Sequence, residues 1–107
     1  MGRNNALMRP IFLEVIVNED DMLAGGIESR DEIEDPLREA LRRAGIGEVT
    51  GGGGGMGEVN IDVDVNLVIS EEDAVNFLRT TLRSLRVPQS TVIVRHQPEE
   101  REYRVWN

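Results

Sequence analysis

The chain has 107 residues, a net charge of −8, 39% hydrophobic but only 4% aromatic residues, and no cysteine. That length supports one domain over residues 1–107 with a core of Val, Ile, Leu and Ala; the acidity argues against binding nucleic acid or an anionic membrane, and the missing cysteine removes disulfides, thiolate nucleophiles and cysteine-based zinc sites. All twelve basic residues are arginine, which removes a P-loop lysine and Schiff-base chemistry. No apolar run reaches the roughly 18 residues of a membrane span, and the opening "MGRNNALMRP" lacks the apolar stretch of a secretory signal, so a cytoplasmic protein is expected.

In chain order, "IFLEVIV" from Ile11 to Val17 is β-branched and apolar and reads as a central strand. The acidic "NEDD" from Asn18 and the "AGG" from Ala24 read as an exposed connection. Ser29 and Glu32 have capping-box spacing, and Pro36 offers a second helix start at a first-turn position. Ile33, Leu37, Ala40, Leu41 and Ala44 share one helical face before Gly45, which predicts a helix over about 30–44. "GEVT" from Gly47 to Thr50 reads as a short strand. Beyond the glycines, Val59, Ile61, Val63, Val65 and Leu67 alternate with Asn60, Asp62, Asp64 and Asn66, the mark of a half-buried strand. Ser70 caps a second helix whose buried stripe is Ala74, Val75, Leu78, Thr81, Leu82 and Leu85. "TVIVRH" from Thr91 and "REYRVW" from Arg101 form a closing hairpin about the turn "QPEE".

The order β-α-β-β-α-β-β is α+β: a ferredoxin-like split βαβ plan with one extra C-terminal hairpin strand. Right-handed crossovers place two helices on one face of an antiparallel sheet of expected order 2-3-1-4-5. The run Gly51, Gly52, Gly53, Gly54 and Gly55 is followed by Met56 and Gly57. A P-loop needs a lysine and a following helix, and a dinucleotide fingerprint needs that helix too; here a strand follows. The run is therefore expected to be a mobile hairpin loop, either plain or a flap whose bare amides contact a ligand or partner.

The "GEVTGGGGGMG" segment with "NIDVDV" after it and "LREALRRAGI" before it, about residues 36–66, resembles small uncharacterised bacterial proteins that carry a G-E-V-T-G-G-G hairpin. That resemblance implies the ferredoxin-like fold and no defined activity. The plan is also similar to that of nitrogen-regulatory P-II-type proteins, with their long loop between the second and third strands. This chain lacks the basic residues expected of their nucleotide site, so that likeness stays at the fold.

The sheet face without helices is the candidate site. Alternation puts Phe12, Glu14 and Ile16, Glu48 and Thr50, and Asn60, Asp62, Asp64 and Asn66 on it. A closing turn centred on Glu99 and Glu100 pairs His96 with Tyr103, Arg95 with Arg104 and Val94 with Val105. That register sends Arg95, Arg104, Ile93 and Trp106 outward and His96 inward. The face then grades from acidic to basic, which predicts a homodimer through it; a basic protein partner is the other fit. The reading is a small binding or regulatory module with no assigned catalytic residue, metal or cofactor. An enzyme using the acidic face and His96 is the alternative, as is an immunity- or antitoxin-like acidic protein. Arg79, Arg83 and Arg86 on the second helix read as a solvated ridge.

Overall fold

The computed structural model describes residues 11–66 and 68–106. The opening segment and Leu67, both used in the sequence reading, lie outside the described residues. The elements are β1 (Ile11–Asn18), α1 (Glu19–Ala24), α2 (Asp31–Ala44), β2 (Gly47–Gly55), β3 (Glu58–Val65), α3 (Glu71–Ser84), β4 (Val92–Arg95) and β5 (Arg101–Arg104). The class is α+β. The strands form one five-stranded sheet in the order β2-β3-β1-β4-β5, and every neighbouring pair is antiparallel.

Burial follows parity. Leu13, Val15 and Val17 of β1 are fully buried, and their cross-strand partners Val63, Ile61 and Val59 lie beside them under the helices. Ile33, Leu37 and Leu41 of α2 and Ala74, Val75, Leu78 and Leu82 of α3 close the same core. Each such Val, Leu or Ile side chain withdrawn from water contributes about 1.5–3 kcal/mol. The Ser70 hydroxyl accepts the Asp73 amide at 3.1 Å and caps α3, as its position before "EED" predicts.

Four expectations need correction. The "NEDD" segment is helical: Asn18 Oδ1 accepts the Asp21 amide at 2.8 Å and starts α1, whose Met22 is buried in the core. The capping box at Ser29 does not form; instead the Glu32 carboxylate accepts the Glu28 amide at 2.9 Å. The arginine ridge on α3 is not simply solvated, because Arg79 Nε donates to the Arg104 carbonyl and Arg83 Nε to the Val105 carbonyl, both at 2.7 Å.

The fourth correction is the largest. Gly51–Gly55 is not a loop but the outer half of β2, paired residue by residue with β3 from Gly51 opposite Asp62 to Gly55 opposite Glu58. The hairpin turns in two residues, Met56 at φ 55° and Gly57 at φ 82°, the paired positive values of a tight turn that matches strand twist. A bulge between Val49 and Gly51 shifts the register by one residue at Thr50. Two positions require glycine sterically. A Cβ at Gly47 would overlap the Asp64 carbonyl, and one at Gly52 would sit 2.7 Å from the Asn60 carbonyl and 3.5 Å from Arg30 and Glu34 of the segment leading into α2 and its first turn.

Gly47→Ala should therefore lower stability by about 1–3 kcal/mol through overpacking. At Gly53 a Cβ has 3.7 Å to its nearest neighbour, so Gly53→Ala should raise stability by about 0.5–1 kcal/mol through reduced unfolded-state entropy. Urea denaturation of the two variants checks the pair of opposite signs.

Candidate functional site

The face of the sheet away from the helices is built from the even-numbered residues of β1, β3 and β4. Register places Glu48 beside Asp64, Asp64 beside Phe12, Asp62 beside Glu14, and Glu14 beside Val94, whose other neighbour is Glu102. A further row runs Asn60, Ile16, Val92, Arg104. Phe12 is 40% exposed, Ile16 and Val92 are half-buried, and Val94 is buried among its neighbours. Ile16, Val92 and Val94 thus form an apolar centre, with Glu14 between them and Phe12, Glu48, Asp62 and Asp64 toward β2, Glu102 toward β5, and Arg104 at one side.

Two pairs of carboxylates face each other directly across strands, Glu48 with Asp64 and Asp62 with Glu14. Like charges in that position repel. Partial relief comes from Asn60 Nδ2, which donates to Asp62 Oδ1 at 3.2 Å, and from His96 Nε2, which lies 2.7 Å from Glu14 Oε1. The His96 ring also stacks on Phe12, with centroids 6.3 Å apart.

Of the site residues read from sequence, Glu14, Asp62, Asp64 and Arg104 come together on this face. Arg95 does not. The β4–β5 register pairs Arg95 with Arg101, Val94 with Glu102, Ile93 with Tyr103 and Val92 with Arg104, three residues away from the pairing drawn from a turn at Glu99 and Glu100. Arg95 stands opposite Leu13 and so faces the helix side, as does fully buried Ile93 opposite Val15. Trp106 packs against the core, and its indole donates to the Val87 carbonyl at 2.9 Å. His96, read as an inner partner of Tyr103, is on the open face. Val92, Val94 and Glu102 are the members that sequence reasoning missed; the parity of Leu13, Val15 and Val17, carried across to β4, would have found them. The glycines supply backbone only at the edge beside Asn60 and Asp62.

Arg95 instead belongs to a polar anchor at the start of α3. Arg95 Nη1 donates to Glu71 Oε1 at 2.8 Å, and the Tyr103 hydroxyl donates to Glu71 Oε2 in a short contact. Arg101 lies over the Tyr103 ring at 5.9 Å. Burial raises the Glu71 carboxyl, but the hydrogen bonds from Tyr103 and Arg95 outweigh it and hold the group below its ordinary value of 4.5. Burial and the bond to Glu71 push the Tyr103 phenol above its ordinary 10.0, and the bond to Glu71 raises Arg95 as well. This cluster ties the last hairpin to a helix; its groups satisfy one another.

Two concave surfaces lie beside the helices, the second reaching the rim of the open face at Glu48. One is a groove between the two long helices lined by Pro36, Ala40, Phe77 and Thr81, and another is a hollow at the base of β2 among Arg38, Arg42, Glu48 and Asn66. Among the described residues no group of three or more His, Cys, Asp or Glu side chains is placed to hold a metal ion, and no helix is long and apolar enough to cross a membrane. Comparison with protein-family models, curated proteins and solved structures finds no match for this chain.

The Glu71 anchor generates a pH dependence. Its depressed carboxyl contributes stability that is present above the unfolded value near 4.5 and is lost as pH falls through the lower folded value. Tyr103→Phe should cost about 1.5 kcal/mol at pH 7, as a bond to a charged group does. The gap to wild type should narrow as pH falls below 4.5 and through the lower folded value, as Glu71 is protonated. Urea denaturation of both chains across that range reads the narrowing directly.

Proposed function

We propose that this chain is a small cytoplasmic binding module on a ferredoxin-like plan, elaborated by the short helix α1 and the extra strand β5, and that its open sheet face receives a basic protein surface. One observation carries the reading: an apolar centre of Ile16, Val92 and Val94, with Phe12 beyond Glu14, lies among five carboxylates, of which two cross-strand pairs repel. A cationic partner placed over Glu14, Asp62 and Asp64 relieves that repulsion, while the apolar centre supplies burial, the usual division of labour in an interface. The lack of cysteine fits a reducing compartment.

Self-association through this face is the weaker reading. It rests on an acidic-to-basic gradient, and with Arg95 on the helix side and Glu102 in the open rows a two-fold pairing would bring carboxylates against carboxylates. An enzymatic reading draws on the Glu14–His96 pair at 2.7 Å. The surrounding surface is a sheet face, not a cleft, and offers a substrate little enclosure.

The test is a titration with a lysine-rich peptide followed by backbone amide shifts. Perturbations should concentrate at Phe12, Glu14, Asp62, Asp64 and Glu102, and affinity should fall steeply with added salt. The double variant Asp62→Asn, Asp64→Asn should lose at least about tenfold in affinity, on the order of 1.4 kcal/mol, without a lower melting temperature, because it removes repulsive neighbours. Shifts spread over α2, or binding indifferent to salt and to the double variant, would sink this assignment.

A further inference from the structure

The sheet has two edges, and the chain treats them differently. The hydrogen bond from the Val105 amide to the Thr91 carbonyl sets the phase of β5, so that Arg104 directs its amide and carbonyl away from β4. That outward carbonyl is taken by Arg79 at 2.7 Å. The strand is also only four residues long and carries Arg101, Glu102 and Arg104. Short, charged and covered edges resist strand addition.

The β2 edge has none of this. It runs nine residues, Gly47–Gly55, and from Val49 onward it carries no charge and no proline. The Asn66 amide donates to the Ile46 carbonyl at 2.7 Å, and the Glu19 amide donates to the Gly57 carbonyl at 2.9 Å. Together these fix the phase of the β2–β3 ladder: Gly51, Gly53 and Gly55 bond to β3, whereas Gly52 and Gly54 point their N–H and C=O outward. Among the described residues no side chain donates to or accepts from those outward groups.

The glycines themselves demand an explanation. Gly52 is required by its close neighbours, and Gly55 by φ +151°. Gly51, Gly53 and Gly54 would meet a Cβ's nearest neighbours at 3.4, 3.7 and 3.5 Å, ordinary contacts that the chain's own packing tolerates. Glycine in a strand costs roughly 0.5–1 kcal/mol against alanine, so three such residues weaken the strand with no gain inside the monomer.

We propose that the β2 edge is a self-pairing surface: two copies join antiparallel about a two-fold axis through Gly53, so that Gly52 of each exchanges both main-chain hydrogen bonds with Gly54 of the other. The occupant is a second copy on three grounds. A glycine strand presents no side-chain pockets that would select a foreign sequence, whereas main-chain addition gains specificity only from such pockets. The two outward residues lie symmetrically about Gly53, which makes the edge self-complementary, as a two-fold interface must be. The flank on the helix side is also balanced in charge at the seam: Glu34, 8% exposed and packed over Gly52, is held by Arg30 at 2.9 Å and Arg38 at 2.7 Å, and Arg38 also pairs with Asp35 at 3.3 Å, so two arginines meet two carboxylates. The joined sheet has ten strands, and both open faces remain free, so this pairing stands or falls separately from the reading of the open face.

The experiment is sedimentation over about 1 µM to 1 mM, because so small a seam belongs to the weak class. Wild type should pass from chain mass to about twice that mass within this range. Gly54→Pro removes an outward N–H and spares the ladder to β3, a position where edge strands accept proline; it should stay monomeric while keeping the far-UV spectrum and still binding the lysine-rich peptide. Gly54→Ala keeps the N–H and should dimerise like wild type. A wild type that stays monomeric to the top of the range, or a Gly54→Pro variant that dimerises as well as wild type, overturns the proposal. If Gly54→Pro does not fold, amide exchange in wild type decides. Protection at Gly52 and Gly54 that rises with concentration supports the seam, and exchange independent of concentration overturns it.

Discussion

The parity of β1 is the constraint on which the molecule rests. Leu13, Val15 and Val17 are fully buried, and β1 is hydrogen-bonded on both sides, to β3 and to β4. Because directly opposed residues in antiparallel strands share a face, that one choice propagates through the registers to β2 and to β5. It puts Ile61 and Ile93 under the helices, and Asp62 and Val94 on the open side. The acidic face is thus the necessary complement of the core: the residues between the buried ones have nowhere else to go.

The same parity decides which elements are legible in the sequence. β3 was plain, since Val59 to Val65 alternate with polar residues, and the two long helices followed from their apolar stripes and from Ser70. β4 was ambiguous, because "VIV" is apolar at every position and offers no alternation; the phase had to come from β1, and a symmetric turn at Glu99 and Glu100 suggested another. The five residues between β4 and β5 include Pro98 and do not form a tight turn centred on Glu99 and Glu100. Arg95 was misplaced in consequence. β2 was hidden for a different reason. Glycine has no side chain to alternate, so a strand made of it has no periodicity, and only its partner's register reveals it. The carboxylates of β3 and β1 were legible because they sit in strands whose phase is unmistakable.

The Glu71 cluster shows how a short terminal hairpin is secured. β5 contributes few buried side chains, yet Tyr103 and Arg95 meet one carboxylate at the positive end of α3. Further along the same helix, Arg79 and Arg83 grip the carbonyls of Arg104 and Val105 and lie against Tyr103 and Trp106 at 5.8 and 5.9 Å. A single helix face therefore fixes the strand at both ends, with charge at one and guanidinium–aromatic stacking at the other.

The bulge at Thr50 has a consequence for how this chain can drift. Elsewhere in the sheet, inserting or deleting one residue would turn core side chains outward. Between Thr50 and Gly55 there are no side chains to turn, and a bulge already absorbs one step of mismatch with β3. The glycine tract uncouples the hairpin tip from the strand base. A one-residue change in its length would turn no core side chain outward; it would exchange which glycines bond to β3 and which face the edge.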